Sequence, residues 1–227
     1  NFPDNYYPKK EILSIANHII CISNSTKIDL MEIYKIPENK ISVTHLATDY
    51  VLSNIERPIK EKYFLYVGSR WKYKNFQILL KVLKYNKDVL KNLKLIIFGG
   101  GKLSKEEIML INEYKIDISK ILQIDGDDEL LKSLYKNAEF FIYPTKYEGF
   151  GIPLLESFSQ NCPVLCSNIS PLREVAENAA TYFDPNDVQS IIIAIEKIVN
   201  NSNYKNECIN NGLIRLKKFS WKKCAAE

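Results

Sequence analysis

Two glutamates, Glu148 and Glu156, bracket the run EGFGIPLLE, and they are the residues of this chain best suited to handle a polar ligand. An ionised carboxylate only accepts hydrogen bonds, so such a pair suits sugar hydroxyls rather than phosphate. Between them, Gly149 and Gly151 flank Phe150 and let backbone approach a ligand closely. Ile152 and Pro153 then open a helical pattern, and proline fits a first helical turn because the N–H it lacks would be unpaired there. A helix start of this kind offers an anion free N–H groups and the positive end of the helix dipole. The preference is roughly 0.3–1 kcal/mol when exposed and up to ~2 when partly buried. Hydroxyls on the glutamates and diphosphate on the helix start together describe a nucleotide-sugar.

A second cluster is GSRWKYKN, Gly68–Asn75. Gly68 permits a tight exit from the preceding apolar run, Arg70 offers a planar fork and Lys74 a point charge. Both cations suit phosphate oxygens, each charge-assisted bond contributing about 1.5–3 kcal/mol. Exposed cations at a helix start are the alternative. Gly99, Gly100 and Gly101 lack the Gly-x-Gly-x-x-Gly spacing of a dinucleotide fingerprint, which leaves a close-approach turn beside a nucleotide base or a plain glycine loop. Asp125-Gly126-Asp127 matches a three-letter metal motif too short to be informative, and we expect no metal here.

These residues need elements to hold them. Apolar runs at KYFLYVGS, LKLIIF, Lys120–Ile124, Phe140–Tyr143, Pro163–Cys166 and Ala180–Phe183 alternate with helical patterns at Phe76–Tyr85, Ser104–Tyr114, Asp127 or Asp128 to Tyr135, Leu154–Ser159, Leu172–Glu177, Val188–Val199 and Tyr204–Lys218. Ser104 and Glu107 form a capping-box pattern. Alternation of this kind predicts an α/β fold, a Rossmann-like parallel sheet covered by helices on both faces. Each candidate then lies at the carboxyl end of a strand, where such sheets bind ligands. Upstream, Glu11–Ala16 reads as helix, His18–Ser23 as strand, Thr26–Tyr34 as helix capped by Asn24 or Ser25, and Lys40–Thr44 as a short strand. The opening NFPDNYYP predicts no strong element.

The 227 residues, 46% hydrophobic and 26% charged, are ordinary globular composition and fit one to two domains. The net charge of +4 is spread along the chain, which favours anionic ligands or an anionic membrane surface and is too diffuse for nucleic acid. No run approaches the roughly 18–20 apolar residues of a membrane span, and no signal-peptide pattern is visible, so a soluble, cytoplasmic protein is expected. Five cysteines without a Cys-x2-Cys pair, and only His18 and His45 beside them, read as reduced thiols, with Cys21, Cys162 and Cys166 in apolar runs.

Glu148 to Glu156, with SFSQNCPVLCSNISPLREVAENAATYFDPND after it, resembles the Glu-x7-Glu signature and its continuation in retaining glycosyltransferases of family 4, which have the GT-B fold. GSRWKYKN is similar to that family's Gly-Arg…Lys-Asn segment. The resemblance implies that Arg70 and Lys74 bind the donor diphosphate and that Glu156 bonds the ribose hydroxyls. It also implies that Glu148 lies near the donor sugar without an assigned role, that Phe150 and Gly151 N–H groups approach sugar or phosphate, and that Gly126 lies against the base. Gly68, Gly99, Gly100, Gly149 and Ile152 complete the donor-binding set. Asn161 stands where the family has glycine, a change a left-handed residue tolerates. Pro171, Arg173 and Glu174 also match; ligand contact and a turn with a surface ion pair stay open.

The resemblance further divides the chain. Residues 1–45 would be a remnant of an N-terminal acceptor domain, 46–60 a linker, 61–216 the nucleotide-sugar donor-binding domain and 217–227 the start of a C-terminal crossing segment. The implied activity is transfer of a sugar from a nucleoside-diphosphate sugar, GDP-mannose or a UDP-sugar, to a glycan or lipid-linked acceptor with retention of configuration. No cofactor is implied. The implied partners are the donor, the acceptor and the missing N-terminal domain, with peripheral contact at the inner membrane face left open. A nucleotide-sugar-binding module without turnover and a GT-B-like nucleotide-sugar epimerase are the alternatives.

Overall fold

The computed structural model describes residues 6–86 and 88–227. The chain begins with α1 (Tyr6–Ile15), β1 (Ile19–Cys21), α2 (Asn24–Ile33) and β2 (Ile41–Val43), and β1 and β2 pair in parallel as a separate two-stranded sheet. Helix α1 starts five residues before the expected Glu11, because Pro8 falls in its first turn, where a backbone N–H has no helical partner. Residues 1–5 of the opening segment lie outside the described residues. Helix α2 is capped by Ser23, whose Oγ accepts from Thr26 N–H at 3.0 Å, rather than by Asn24 or Ser25. Three polar residues in a row made the choice ambiguous, and the extended backbone at Ser23 decides it.

From residue 63 the elements alternate: β3 (Tyr63–Val67), α3 (Gln77–Tyr85), β4 (Lys94–Phe98), α4 (Lys105–Glu113), β5 (Ile121–Ile124), α5 (Asp128–Asn137), β6 (Phe141–Tyr143), α6 (Ile152–Ser159), β7 (Val164–Ser167), α7 (Ser170–Ala176), β8 (Ala180–Phe183), α8 (Val188–Asn200), α9 (Ser202–Leu216) and α10 (Trp221–Ala226). The last helix was not expected; Ser220 caps it by accepting from Lys223 N–H. Strands β3 to β8 form one all-parallel sheet in the order β5-β4-β3-β6-β7-β8.

The strand sequences read as unbroken apolar runs because both faces are covered. Tyr63 and Leu65 join one core layer with Leu134 of α5, Leu154 of α6 and Leu172 of α7. Phe64 and Tyr66, one residue out of phase, join the other layer with Leu79 of α3 and Ile195 of α8. All of these are essentially inaccessible, and each such side chain contributes about 1.5–3 kcal/mol by leaving water. Gln160, fully buried, holds the extended segment before β3: it accepts from Ser53 N–H at 2.8 Å and donates to Val51 O at 2.9 Å.

The chain moves outward from β3 to β4 and β5, returns to the centre at β6, and moves the other way to β7 and β8. The loops after β3 and β6 therefore diverge, α3 packing in one layer and α6 in the other. A crevice opens between them at the carboxyl end of the sheet, which is where open parallel sheets hold their ligands. Among the described residues no helix is long and apolar enough to cross a membrane.

Candidate ligand site at the carboxyl end of the sheet

Lys74, from the loop after β3, and Glu148, from the loop after β6, meet across this crevice. Lys74 Nζ donates to Glu148 Oε1 at 2.6 Å, with both side chains largely buried at 17% and 13% exposure. Tyr143, the last residue of β6, completes a triangle: its hydroxyl donates to Glu148 Oε1 at 2.7 Å and accepts from Lys74 Nζ at 3.0 Å. Burial, reinforced by the neighbouring carboxylate, pushes the Tyr143 phenol far above its ordinary value, so it stays protonated and donates. Tyr143 was hidden in the sequence as one more apolar strand residue.

The two loops are also bonded through backbone. Tyr73 O accepts from Lys146 N–H at 2.7 Å, and Asn75 Nδ2 reaches Pro144 O at 3.0 Å and Pro185 O at 2.7 Å. Asn75 adopts the left-handed conformation that ends the short 3-10 turn Lys72–Lys74 and aims Lys74 at Glu148.

Arg70, expected with Lys74 at the donor diphosphate, is bonded to the loop after β4. Its Nε donates to Glu107 Oε1 at 2.7 Å, Nη2 to Gly101 O at 3.0 Å and Lys102 O at 2.7 Å, and Nη1 to Gly99 O at 3.3 Å. Arg70 and Glu107 are 6% and 8% exposed. The capping-box glutamate therefore works twice, since its Oε2 also accepts from Ser104 N–H at 2.6 Å. The guanidinium thus braces the β4–α4 loop, and it also lines the open cleft beside that loop. The physical reason is reach: a buried carboxylate and three carbonyls lie within the span of its fork, and a desolvated cation takes the nearest full set of acceptors.

Gly68, Gly99 and Gly100 gather around this brace. Gly68 N–H donates to Phe98 O at 2.9 Å, and a Cβ on Gly100, at φ +74°, would stand 2.7 Å from Gly68 O. Beside them an open cleft of about 660 Å³ lies between residues 69–77 and 100–107, rimmed by Trp71, Lys72, Lys102 and Lys146.

The loop before α6 matches the helix-start expectation. Gly151 is the N-cap at φ +117°, and a Cβ there would meet Leu172 Cδ2 at 2.7 Å, so only glycine fits. Among the described residues none accepts a bond from the N–H groups of Gly149, Phe150, Gly151 or Ile152. Free N–H groups at the start of an eight-residue helix favour an anion. The Phe150 side chain is buried between the rings of His45 and Phe219, at 5.8 Å from each centroid, which anchors the loop from beneath.

Glu156, on α6, faces α5: its Oε2 accepts from Tyr135 OH at 3.1 Å. Burial raises its carboxyl above the ordinary range, Tyr135 offsetting part of the shift and Asp128 adding to it. Gly126 lies at the start of α5, packed on Leu130. Asp127 is that helix's cap, accepting from Leu130 N–H at 2.9 Å. Among the described residues no group of three His, Cys, Asp or Glu side chains could hold a metal ion.

Asn161 takes the left-handed conformation, φ 56°, that its position required. Glu174 is tied to the upstream segment of the chain. It accepts from Asn24 N–H and Nδ2, both at 2.8 Å, from Ser25 N–H at 3.2 Å and from His45 Nε2 at 2.7 Å. Sequence separations of 129 to 150 residues kept this clamp invisible in the sequence. Arg173 bonds Asn168 Oδ1 at 2.8 Å, and Pro171 is buried in the first turn of α7. Cys21, Cys162, Cys166 and Cys208 are free and buried, and burial pushes the Cys162 thiol up to about 12.

Comparison with known proteins agrees with this architecture. The profile of the family described as glycosyl transferases group 1 matches residues 53–215. O-antigen chain mannosyltransferase B of Escherichia coli is 29% identical over 230 residues, covering 96% of this chain and 60% of the relative. O-antigen chain mannosyltransferase RfbU of Salmonella typhimurium is 30% identical over 207 residues, covering 87% and 57%. The chain thus spans somewhat under two thirds of these relatives. Sucrose-phosphate synthase from Thermosynechococcus elongatus superposes with a TM-score of 0.81 at 20% identity, over 96% of this chain and 58% of that one.

Proposed function

This chain belongs to the group 1 glycosyl transferases, GT-B proteins of the family 4 type, and on that premise we propose that it is the donor-binding part of an enzyme that transfers a sugar from a nucleoside-diphosphate sugar to a glycan or lipid-linked acceptor, with retention of configuration. The observation that carries the reading is the meeting of Lys74 with Glu148 beside the four unpartnered N–H groups of residues 149–152, at the point where the sheet order reverses. Mannosyltransferase relatives make GDP-mannose the first donor to try, with UDP-sugars next.

In this reading the diphosphate rests on the N–H groups at the start of α6 and draws Lys74. Both stabilise the charge that grows on the leaving group as the glycosidic bond breaks. Glu156 accepts from the ribose hydroxyls, and Glu148 lies near the sugar. Arg70 braces the Gly99–Lys102 loop and lines the cleft beside it. Residues 61–216 form the donor domain, residues 46–60 the linker, residues 1–45 part of an acceptor domain, and residues 217–227 a segment crossing back to it. The basic surface favours work at an anionic membrane face.

Incubating the full-length protein with labelled GDP-mannose or UDP-sugars and a lipid-linked oligosaccharide tests the reading. A glycosylated product whose anomeric configuration by NMR equals the donor's supports it. Label transfer with inverted configuration removes retention. Epimerised nucleotide-sugar formed without acceptor, or binding without product, favours the epimerase or the binding module.

A further inference from the structure

The Lys74–Glu148 pair is internally neutral, and the ammonium that the proposed donor diphosphate needs is bonded to a carboxylate with little access to water. Drawing Lys74 toward phosphate takes from Glu148 its cation. A carboxylate this enclosed needs another donor to hold it in place. One donor is already there: the Tyr143 hydroxyl sits 2.7 Å from the same Oε1, on a side chain 2% exposed and fixed at the end of a central strand.

We propose that Tyr143 is a positioning residue, whose hydroxyl holds Glu148 in place and hydrogen-bonded when Lys74 turns from Glu148 to the donor diphosphate. The inference rests on the donor-site reading above. The phenol suits the part because its ring is locked: Phe141 packs on it at 5.6 Å, and its backbone carbonyl accepts from Ser167 Oγ at 3.4 Å. The other titratable or charged groups facing the triangle are Tyr66 from β3 and Tyr73 from the loop after it, with Arg70 and Glu107 bonded to each other behind Tyr66. Among the described residues only Lys74 and Tyr143 donate side-chain hydrogen bonds to Glu148, so without the phenol the carboxylate keeps no side-chain donor as Lys74 leaves.

Calorimetric titration of wild type, Tyr143→Phe, Glu148→Gln and the double variant with GDP-mannose and with UDP-N-acetylglucosamine tests this. The wild-type chain is expected to bind one of them, and Tyr143→Phe to bind it roughly tenfold more weakly. In the Glu148→Gln background, adding Tyr143→Phe is expected to change affinity less than about twofold, because the hydroxyl acts through that carboxylate. A folded Tyr143→Phe that binds as wild type does overturns the positioning role and leaves the donor site standing; an equal loss in both backgrounds overturns it as well. If wild type binds neither compound, the donor-site reading fails and this inference falls with it.

Discussion

Lys74 and Glu148 bond at 2.6 Å between the loops that follow β3 and β6, the neighbouring strands at which the order of the sheet reverses. The pair closes the crevice from both sides, because Lys74 stands at the end of the β3 loop and Glu148 in the β6 loop.

Arg70→Ala is expected to act on stability before binding. It strands Glu107, 8% exposed, without its cation, and removing one member of a buried pair costs about 3–5 kcal/mol. Urea denaturation measures the loss. A stable Arg70→Ala chain with selectively weakened nucleotide binding would instead return Arg70 to the diphosphate.

Gly151→Ala is expected to destabilise by about 1–3 kcal/mol, since alanine is strained at φ +117° and its methyl would drive into Leu172. Thermal unfolding with and without Leu172→Ala separates the two causes, because the smaller partner relieves the clash and not the backbone strain.

Glu174 gives a stability that depends on acid. Burial alone would raise its carboxyl, but the bonds from Asn24, His45 and Ser25 outweigh that and hold it below the ordinary 4.5. The native state therefore binds its proton less readily than the unfolded chain. Its contribution is complete above about pH 4.5 and fades as pH falls through the lower, folded value. Glu174→Gln is expected to flatten the acid limb of the stability curve, and an unchanged limb would show that the clamp contributes nothing.

Glu156 has the opposite sign. Burial raises its carboxyl, so ionising it costs the folded state, and Glu156→Gln is expected to be more stable than wild type at neutral pH. That advantage shrinks as pH falls through the raised value and is gone below the ordinary 4.5. Denaturation at a series of pH values checks the trend. Stability gained together with nucleotide binding lost would mark Glu156 as a residue held for function at a structural cost.

Much of the fold was legible because the strands are short, unbroken apolar runs with helical patterns between them, and the Ser104–Glu107 capping box and the left-handed Asn161 were local signals read from neighbouring residues. What was not legible depends on partners far away in the chain. Arg70 reads as a cation with no sign of the β4–α4 loop wrapped around it, Glu107 as a helix cap with no sign of its second partner, and Tyr143 as one more apolar strand residue with no sign of Lys74, 69 residues away, at its hydroxyl. The clamp of Glu174 on Asn24 and His45 likewise forms only once the two ends of the sequence are brought together.

A donor site at the reversal point of the sheet is tested most directly by the melting temperature of this chain against UDP, GDP, ADP, dTDP and their sugars. A nucleotide at about 100 times its dissociation constant stabilises the fold by ~2.7 kcal/mol. One nucleotide series is expected to raise the melting temperature, and the rise is expected to vanish in Lys74→Met and in Glu156→Gln. A rise that survives both substitutions, or no rise with any of the compounds, would contradict a donor site built on these residues.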